Sequence, residues 1–153
     1  MDLFLVRHAD AGSRRAWTGD DCIRPLSPLG LQQASGIRTA FAAEPVTRIF
    51  SSPAVRCIQT VEPLADALGL EIEISDALFE GSWVTDAISF AESVDETVVF
   101  ASHGDVIPQM LRGLTNRGMT LVDDFRWEKG STWVITRDGD KFTEARYVPP
   151  SSD

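Results

Sequence analysis

The chain has 153 residues, 43% of them hydrophobic, which fits one domain (residues 1–153) with a single substantial core and no long disordered tract. Its formal net charge of −9 repels nucleic-acid polymers and anionic membranes, so neither is an expected partner. No apolar run approaches the ~20 residues of a membrane span, and the N-terminus lacks the basic and cleavage regions of a signal peptide, so a cytoplasmic location is expected.

Asp2 to Val6 reads as a buried strand, ending in Arg7-His8. Ala9 to Arg24 is polar and glycine-containing, hence a loop. Ser27-Pro28 then opens a helix with Ser27 as N-cap and Pro28 at the first helical position. That helix carries Leu31, Ala34, Ile37, Ala40 and Phe41 at helical spacing and ends near Pro45. Thr47 to Ser51 is a short strand. Ser52-Pro53 repeats the cap-plus-proline start, and Val55, Ile58, Leu64, Ala65 and Leu68 mark the helix behind it. Pro63 predicts a kink or a break there, and Gly69 a stop.

Leu70 to Ile74 reads as another strand, Trp83 to Val94 as a helix, and Thr97 to Ala101 as an almost wholly apolar, buried strand. Asp105 to Leu114 is the next helix. Thr132 to Thr136 and Lys141 to Tyr147 form a hairpin around an Asp138-Gly139 turn. The tail from Pro149 to Asp153 is expected to fray. No internal repeat or linker interrupts this alternation of strand and helix, which predicts an α/β domain with a mainly parallel sheet. The two cysteines, Cys22 and Cys57, are too few for a disulfide framework and form no Cys-x-x-Cys pair; Cys57 reads as a small buried hydrophobe.

Three strand ends carry chemistry. The first ends in Arg7-His8. The second ends in Ser51-Ser52-Pro53, with Arg56 one helical turn later. The strand from Thr97 ends in Ser102-His103-Gly104. Parallel strands share one carboxyl edge, where open α/β sheets hold their ligands. Two arginines and two histidines then converge, with the helix starts after Ser52 and Gly104 adding backbone N–H donors. Arginine suits phosphate oxygens, and a neutral histidine is a nitrogen nucleophile. Arg14, Arg15 and Arg24 add local positive charge. No metal-ligand spacing, Gly-x-Ser-x-Gly elbow or P-loop is present, so no metal or cofactor is expected.

These residues carry a family resemblance. Leu5-Val6-Arg7-His8-Ala9-Asp10, Ser51-Ser52-Pro53-Ala54-Val55-Arg56-Cys57-Ile58-Gln59-Thr60 and Ala101-Ser102-His103-Gly104 resemble the histidine phosphatase superfamily, the phosphoglycerate-mutase-like proteins. The short length and Arg24-Pro25-Leu26-Ser27 are similar to the small SixA-type phosphohistidine phosphatases. Ala11-Gly12-Ser13-Arg14-Arg15, Val61-Glu62-Pro63-Leu64-Ala65 and Lys129-Gly130-Ser131-Thr132-Trp133 resemble the histidine-phosphatase domain of actinobacterial Nudix-linked nucleotide hydrolases. Ala9 departs from the glycine that usually follows the catalytic histidine.

The resemblance implies a three-layer α/β/α sandwich. It implies His8 as the nucleophile that becomes phosphohistidine, with Arg7, Arg56 and His103 binding the transferred phosphoryl group. Glu80 is the candidate acid for the leaving group and Asp10 its rival. Asp10, Arg14, Arg15, Ser52 and Gly104 are further substrate-binding candidates. The nucleophilic imidazole must be unprotonated, with one ring nitrogen fixed on a partner such as a backbone carbonyl. His103 is expected to serve as a charged donor and to titrate differently. The four tryptophans are expected mainly to pack, although Trp17 and Trp83 flank the pocket.

The expected partner is a phosphorylated substrate. A phosphohistidine-bearing protein leads, because the short chain leaves little sequence for a lid. A nucleotide or dinucleoside polyphosphate is the alternative, and a non-catalytic phosphate-binding module is a second one.

Overall fold

A computed structural model describes residues 1–152 of the chain. In chain order the elements are β1 (Asp2–Arg7), α1 (Pro28–Phe41), β2 (Arg48–Ser51), α2 (Val55–Leu68), β3 (Ile72–Ile74), α3 (Val84–Ser93), β4 (Val98–Ser102), α4 (Val106–Asn116), β5 (Thr120–Leu121), β6 (Thr132–Asp138) and β7 (Lys141–Val148). The strands form one sheet in the order β3-β2-β4-β1-β6-β7-β5. β3, β2, β4 and β1 run parallel, and β6 is antiparallel to both β1 and β7.

Period-two alternation divides the core between the two faces of the sheet. On β1, Phe4 and Val6 join Ile37 and Phe41 of α1 and Val61 and Leu64 of α2. Leu3 and Leu5 point the other way, toward Ala87 and Ile88 of α3 and Met110 and Leu111 of α4. The result is the expected three-layer α/β/α sandwich. Every residue of β4 is buried, as its apolar run predicted.

Local chemistry explains most element ends. The Ser27 hydroxyl accepts the Gly30 N–H at 3.1 Å, capping α1 with Pro28 behind it. Gly69 closes α2 in the left-handed region at φ 67°.

Other expectations are corrected. Ser52 does not cap α2: the helix starts at Val55 behind Ala54, without a side-chain cap, and the Ser52 hydroxyl is committed elsewhere. Pro63 neither breaks nor splits α2. It removes one helical N–H, but Val61, Leu64 and Ala65 seat the helix against the sheet across that gap.

β3 begins only at Ile72. The hairpin loop is Gly139-Asp140, because Asp138 still pairs with Lys141; Gly139, at φ 63°, is its first residue. In the tail, the Ser151 carbonyl lies against Gly36 of α1, where a Cβ would collide with it, so this part of the tail is packed; Asp153 lies outside the described residues. The two-residue β5 carries no sequence signal of its own.

Candidate active site

β1 and β4 are neighbours whose following helices pack on opposite faces of the sheet. That is a topological switch point, where a crevice opens at the strand ends. Arg7 pairs in register with Ser102 and Ser51 with Ala101, so the three motif-bearing ends share one edge. The His8 and His103 rings stand 5.5 Å apart between centroids.

His8 is buried and tightly held. Its backbone N–H donates to the Ser102 carbonyl at 3.0 Å. Its ring Nδ1 lies 2.9 Å from the Ala9 carbonyl oxygen. A carbonyl only accepts, so Nδ1 carries the proton and Nε2 keeps its lone pair. Burial, followed by the nearby His103, Arg56 and Arg7, pushes the His8 pKa down to about 3, while the bond to Ala9 opposes the shift. The ring is neutral at physiological pH. The Ala9 N–H in turn donates to the Thr60 hydroxyl at 2.9 Å.

The two arginines are fixed from behind. Arg7 Nη1 donates to the Trp127 carbonyl at 2.7 Å, and its guanidinium passes so close to Gly104 that a Cβ there would stand 2.6 Å from Nη2. Arg56 is 1% exposed, an expensive place for a cation unless anions meet it. Its Nη1 donates to the Asp21 carbonyl at 2.9 Å, and Nη2 lies 3.2 Å from the Asp21 carboxylate. Arg7 Nε and Arg56 Nε are buried without a partner. Such orphaned donors suit an anion cradle.

His103 is 1% exposed. Arg56 Nη2 stands 3.5 Å from Nδ1, and Nε2 is 2.8 Å from the Ser52 hydroxyl. A guanidinium only donates, so these partners assign the proton to Nε2. Burial, then the Arg56 charge, pushes the pKa down to about 4. In the free protein His103 is therefore neutral, not the charged donor expected from sequence, and its shift runs the same way as that of His8. Cys57 is buried as expected, but its Sγ also lies 3.5 Å from His103 Nε2.

Glu80 reaches this cluster. One carboxylate oxygen accepts from Arg14 Nη2 at 2.7 Å, and the other lies 3.7 Å from Arg56 Nη2. Its loop is pinned on both sides. The Ser102 hydroxyl donates to the Leu78 carbonyl at 2.6 Å, and the Gly81 N–H donates to Asp105 Oδ2 at 2.8 Å.

Asp10 is engaged differently. Its carboxylate accepts from the Ser27 hydroxyl at 2.5 Å and from the Gly12 N–H at 3.3 Å. The Ser27 bond leads in holding it below the usual carboxylate range. Asp10 ties the loop to the start of α1 and stays ionised.

The remaining candidates separate. Arg14 joins the cluster through Glu80 and through Asp21, 3.3 Å from its Nε. Arg15 is exposed. Arg24 is buried and structural, donating to Asp21 and to the Ala11 carbonyl. Trp133 packs in the core, Trp17 donates to the Asp20 carbonyl, and Trp83 is 78% exposed, against the expectation of packing.

Asp21, Thr60 and Asp105 had no role assigned to them from the sequence. Thr60 had a signal, since it lies four residues after Arg56 on the helical face that also carries Val61 and Leu64. Asp21, in an aperiodic loop, had none. Among the described residues no group of three or more His, Cys, Asp or Glu side chains is arranged to hold a metal, and no helix is long and apolar enough to cross a membrane.

Two arginines, each with a buried and unpartnered Nε, beside a neutral, oriented imidazole make a site suited to a small oxyanion. The chain belongs to the histidine phosphatase superfamily, branch 1, whose family model matches residues 3–88.

A curated relative, the 8-oxo-(d)GTP phosphatase of Mycolicibacterium smegmatis, is 30% identical over 99% of this chain. The chain spans about half of that relative, 49% of its length. Among solved structures, the protein histidine phosphatase SixA complexed with tungstate superposes with a TM-score of 0.78 at 20% identity, covering 99% of this chain and 97% of SixA. YhfR of Bacillus stearothermophilus gives 0.72 at 18% identity over 92% and 93% of the two chains. At these identities the structural likenesses establish the fold.

Proposed function

We propose that the chain hydrolyses a phosphate monoester or phosphoramidate through a phosphohistidine on His8. The observation that carries this reading is the His8 ring itself, with Nδ1–H held on the Ala9 carbonyl and Nε2 left free beside Arg7, Arg56 and His103. Phosphoryl transfer needs chiefly positioning and charge stabilisation, which fixed arginines supply.

The Nε2 lone pair attacks phosphorus as the bond to the leaving oxygen or nitrogen breaks. That leaving atom takes a proton from the Glu80 carboxyl. Water then attacks phosphorus and gives its proton back to the Glu80 carboxylate. The P–N bond breaks with its electron pair returning to Nε2, releasing inorganic phosphate. Glu80 fits this duty better than Asp10, which Ser27 and Gly12 occupy. In the free protein Arg14 Nη2 donates to one Glu80 oxygen at 2.7 Å, which places Arg14 beside the proposed acid.

For the substrate we favour a phosphorylated nucleotide over a phosphohistidine protein. The support is the 30% identity to a nucleotide phosphatase, together with the exposed Arg14, which reaches Glu80 at the site and suits a further phosphate. A phosphohistidine protein is the second reading, suggested by the exposed Trp83, which lies three residues after Glu80 in the chain.

The test is turnover of nucleoside mono-, di- and triphosphates and of a phosphohistidine protein, by the parent and His8→Ala. Loss of turnover in His8→Ala by about 1,000-fold or more is expected. Unchanged turnover would overturn the chemistry, and activity on the phosphoprotein alone would overturn the substrate class.

A further inference from the structure

We propose that Gln33 of α1 is a positioning residue for His8: its side-chain oxygen anchors the Ala9–Asp10 peptide, whose own carbonyl keeps the proton on His8 Nδ1 and leaves Nε2 free to react. This inference rests on His8 being the nucleophile and deepens that reading by naming what orients it.

The Ala9 carbonyl and the Asp10 N–H belong to one peptide group, which is planar and trans, so the two point in opposite directions. The carbonyl accepts from His8 Nδ1 at 2.9 Å. The N–H donates to Gln33 Oε1 at 2.9 Å. Among the described residues neither group has another hydrogen-bond partner. One rigid plane is thus gripped on one edge by the nucleophile and on the other by Gln33. Because an N–H only donates, the oxygen and not the nitrogen of the Gln33 carboxamide faces it.

Gln33 is itself held. It sits on the second turn of α1, and its carboxamide lies against Gly130, where a Cβ would stand 3.2 Å from both Cδ and Oε1. The Gly130 N–H in turn donates to the Arg7 and His8 carbonyls, at 3.2 and 3.1 Å. The helix on one side and the turn before β6 on the other bracket the side chain.

The neighbouring peptides are secured separately. The His8–Ala9 peptide is held at its carbonyl by Gly130 and at its N–H by the Thr60 hydroxyl. The Asp10 carbonyl accepts the Ser27 N–H at 2.9 Å. Loss of the Gln33 oxygen therefore leaves the loop in place and frees only the plane between. That plane then turns about the line joining the Ala9 and Asp10 Cα atoms, with ψ of Ala9 and φ of Asp10 changing in opposite senses. An Asp10 N–H without its acceptor favours the turn. The Ala9 carbonyl swings off Nδ1, and the proton is no longer held on that nitrogen. A proton on Nε2 would occupy the lone pair that attacks phosphorus.

The experiment compares Gln33→Met, which keeps the length of the side chain and removes the oxygen, with Gln33→Glu, which keeps an oxygen in the same place. Two readouts are taken. One is kcat and KM on an aryl phosphate. The other is the 15N chemical shifts of the His8 ring, which report the tautomer and are assigned against His8→Ala, since the chain has two histidines. Gln33→Met is expected to lower kcat by about 10- to 100-fold with KM within about twofold. Its His8 ring is expected to show mixed tautomers. Gln33→Glu is expected to keep the single Nδ1–H form and to turn over faster than Gln33→Met. Gln33→Leu gives the same comparison if the methionine variant does not fold.

A folded variant without the oxygen that keeps a single Nδ1–H tautomer would overturn the inference, whatever its rate. So would mixed tautomers with parental kcat, or mixed tautomers in Gln33→Glu equal to those in Gln33→Met. Failure of the underlying reading looks different, since His8→Ala would then turn over normally whatever the ring shifts show.

Discussion

Arg7 owes its place to the absence of a side chain at Gly104. The guanidinium fills the space where a Cβ would stand, and it is also held by the Trp127 carbonyl, so it has little room to yield. Gly104→Ala is expected to displace Arg7 and lower kcat/KM by about 10- to 100-fold, because a shift of about 1 Å suffices for such losses. Steady-state kinetics with a thermal melt of the same variant checks this; parental kcat/KM would show that Arg7 tolerates the intrusion. The residues that the sequence singled out and the structure brings together are Arg7, His8 and His103 at strand ends and Arg56 in the first turn of α2, whose chemistry is unusual at such places. Asp21 was hidden because its value lies in meeting Arg56, Arg24 and Arg14 from a loop with no periodicity. Ser52 was misread because a serine before a proline has a strong local meaning, here overridden by its bond to His103.

At the scale of elements, the α1 start shows how local capping serves the site. The Ser27 hydroxyl caps the helix and also donates to the Asp10 carboxylate, two residues beyond His8. Gly30 admits the Asp10 carbonyl against the first turn, where a Cβ would collide with it. Ser27→Ala is expected to cost about 1 kcal/mol from the lost cap. It also frees Asp10 to return toward the ordinary carboxylate range. Denaturant melts check the first effect, and an unchanged midpoint would contradict it. Capping of this kind is written in neighbouring residues, which is why α1 was legible. The continuity of α2 through Pro63 was not, because it depends on contacts with the sheet that no local pattern records.

At the scale of the molecule, two buried neutral histidines couple the site to stability. His8 and His103 lie at about 3 and about 4, against an ordinary histidine value of 6.5. Between those limits the unfolded chain binds more protons than the folded one, so stability rises with pH. It is fully present above about pH 6.5 and is lost as pH falls toward 4 and then 3. Thermal midpoints taken from pH 7.5 to 4.5 are therefore expected to fall less steeply in His8→Asn and His103→Gln than in the parent. Parallel curves would contradict the buried neutral pair. The layered architecture was legible because strands and helices alternate with clean periodicity. The edge strand β5 was not, because two residues pair with β7 only once the hairpin exists to receive them.

His8 Nε2 is the atom proposed to take the phosphoryl group, and direct trapping of the intermediate tests this. Rapid acid-free quenching of the protein during turnover, followed by mass spectrometry of its peptides, is expected to find one acid-labile, base-stable phosphoryl group on His8, absent from His8→Ala. A phosphoryl group on His103 or on a serine, or turnover at the parental rate with no phosphorylated protein at any time point, would contradict it.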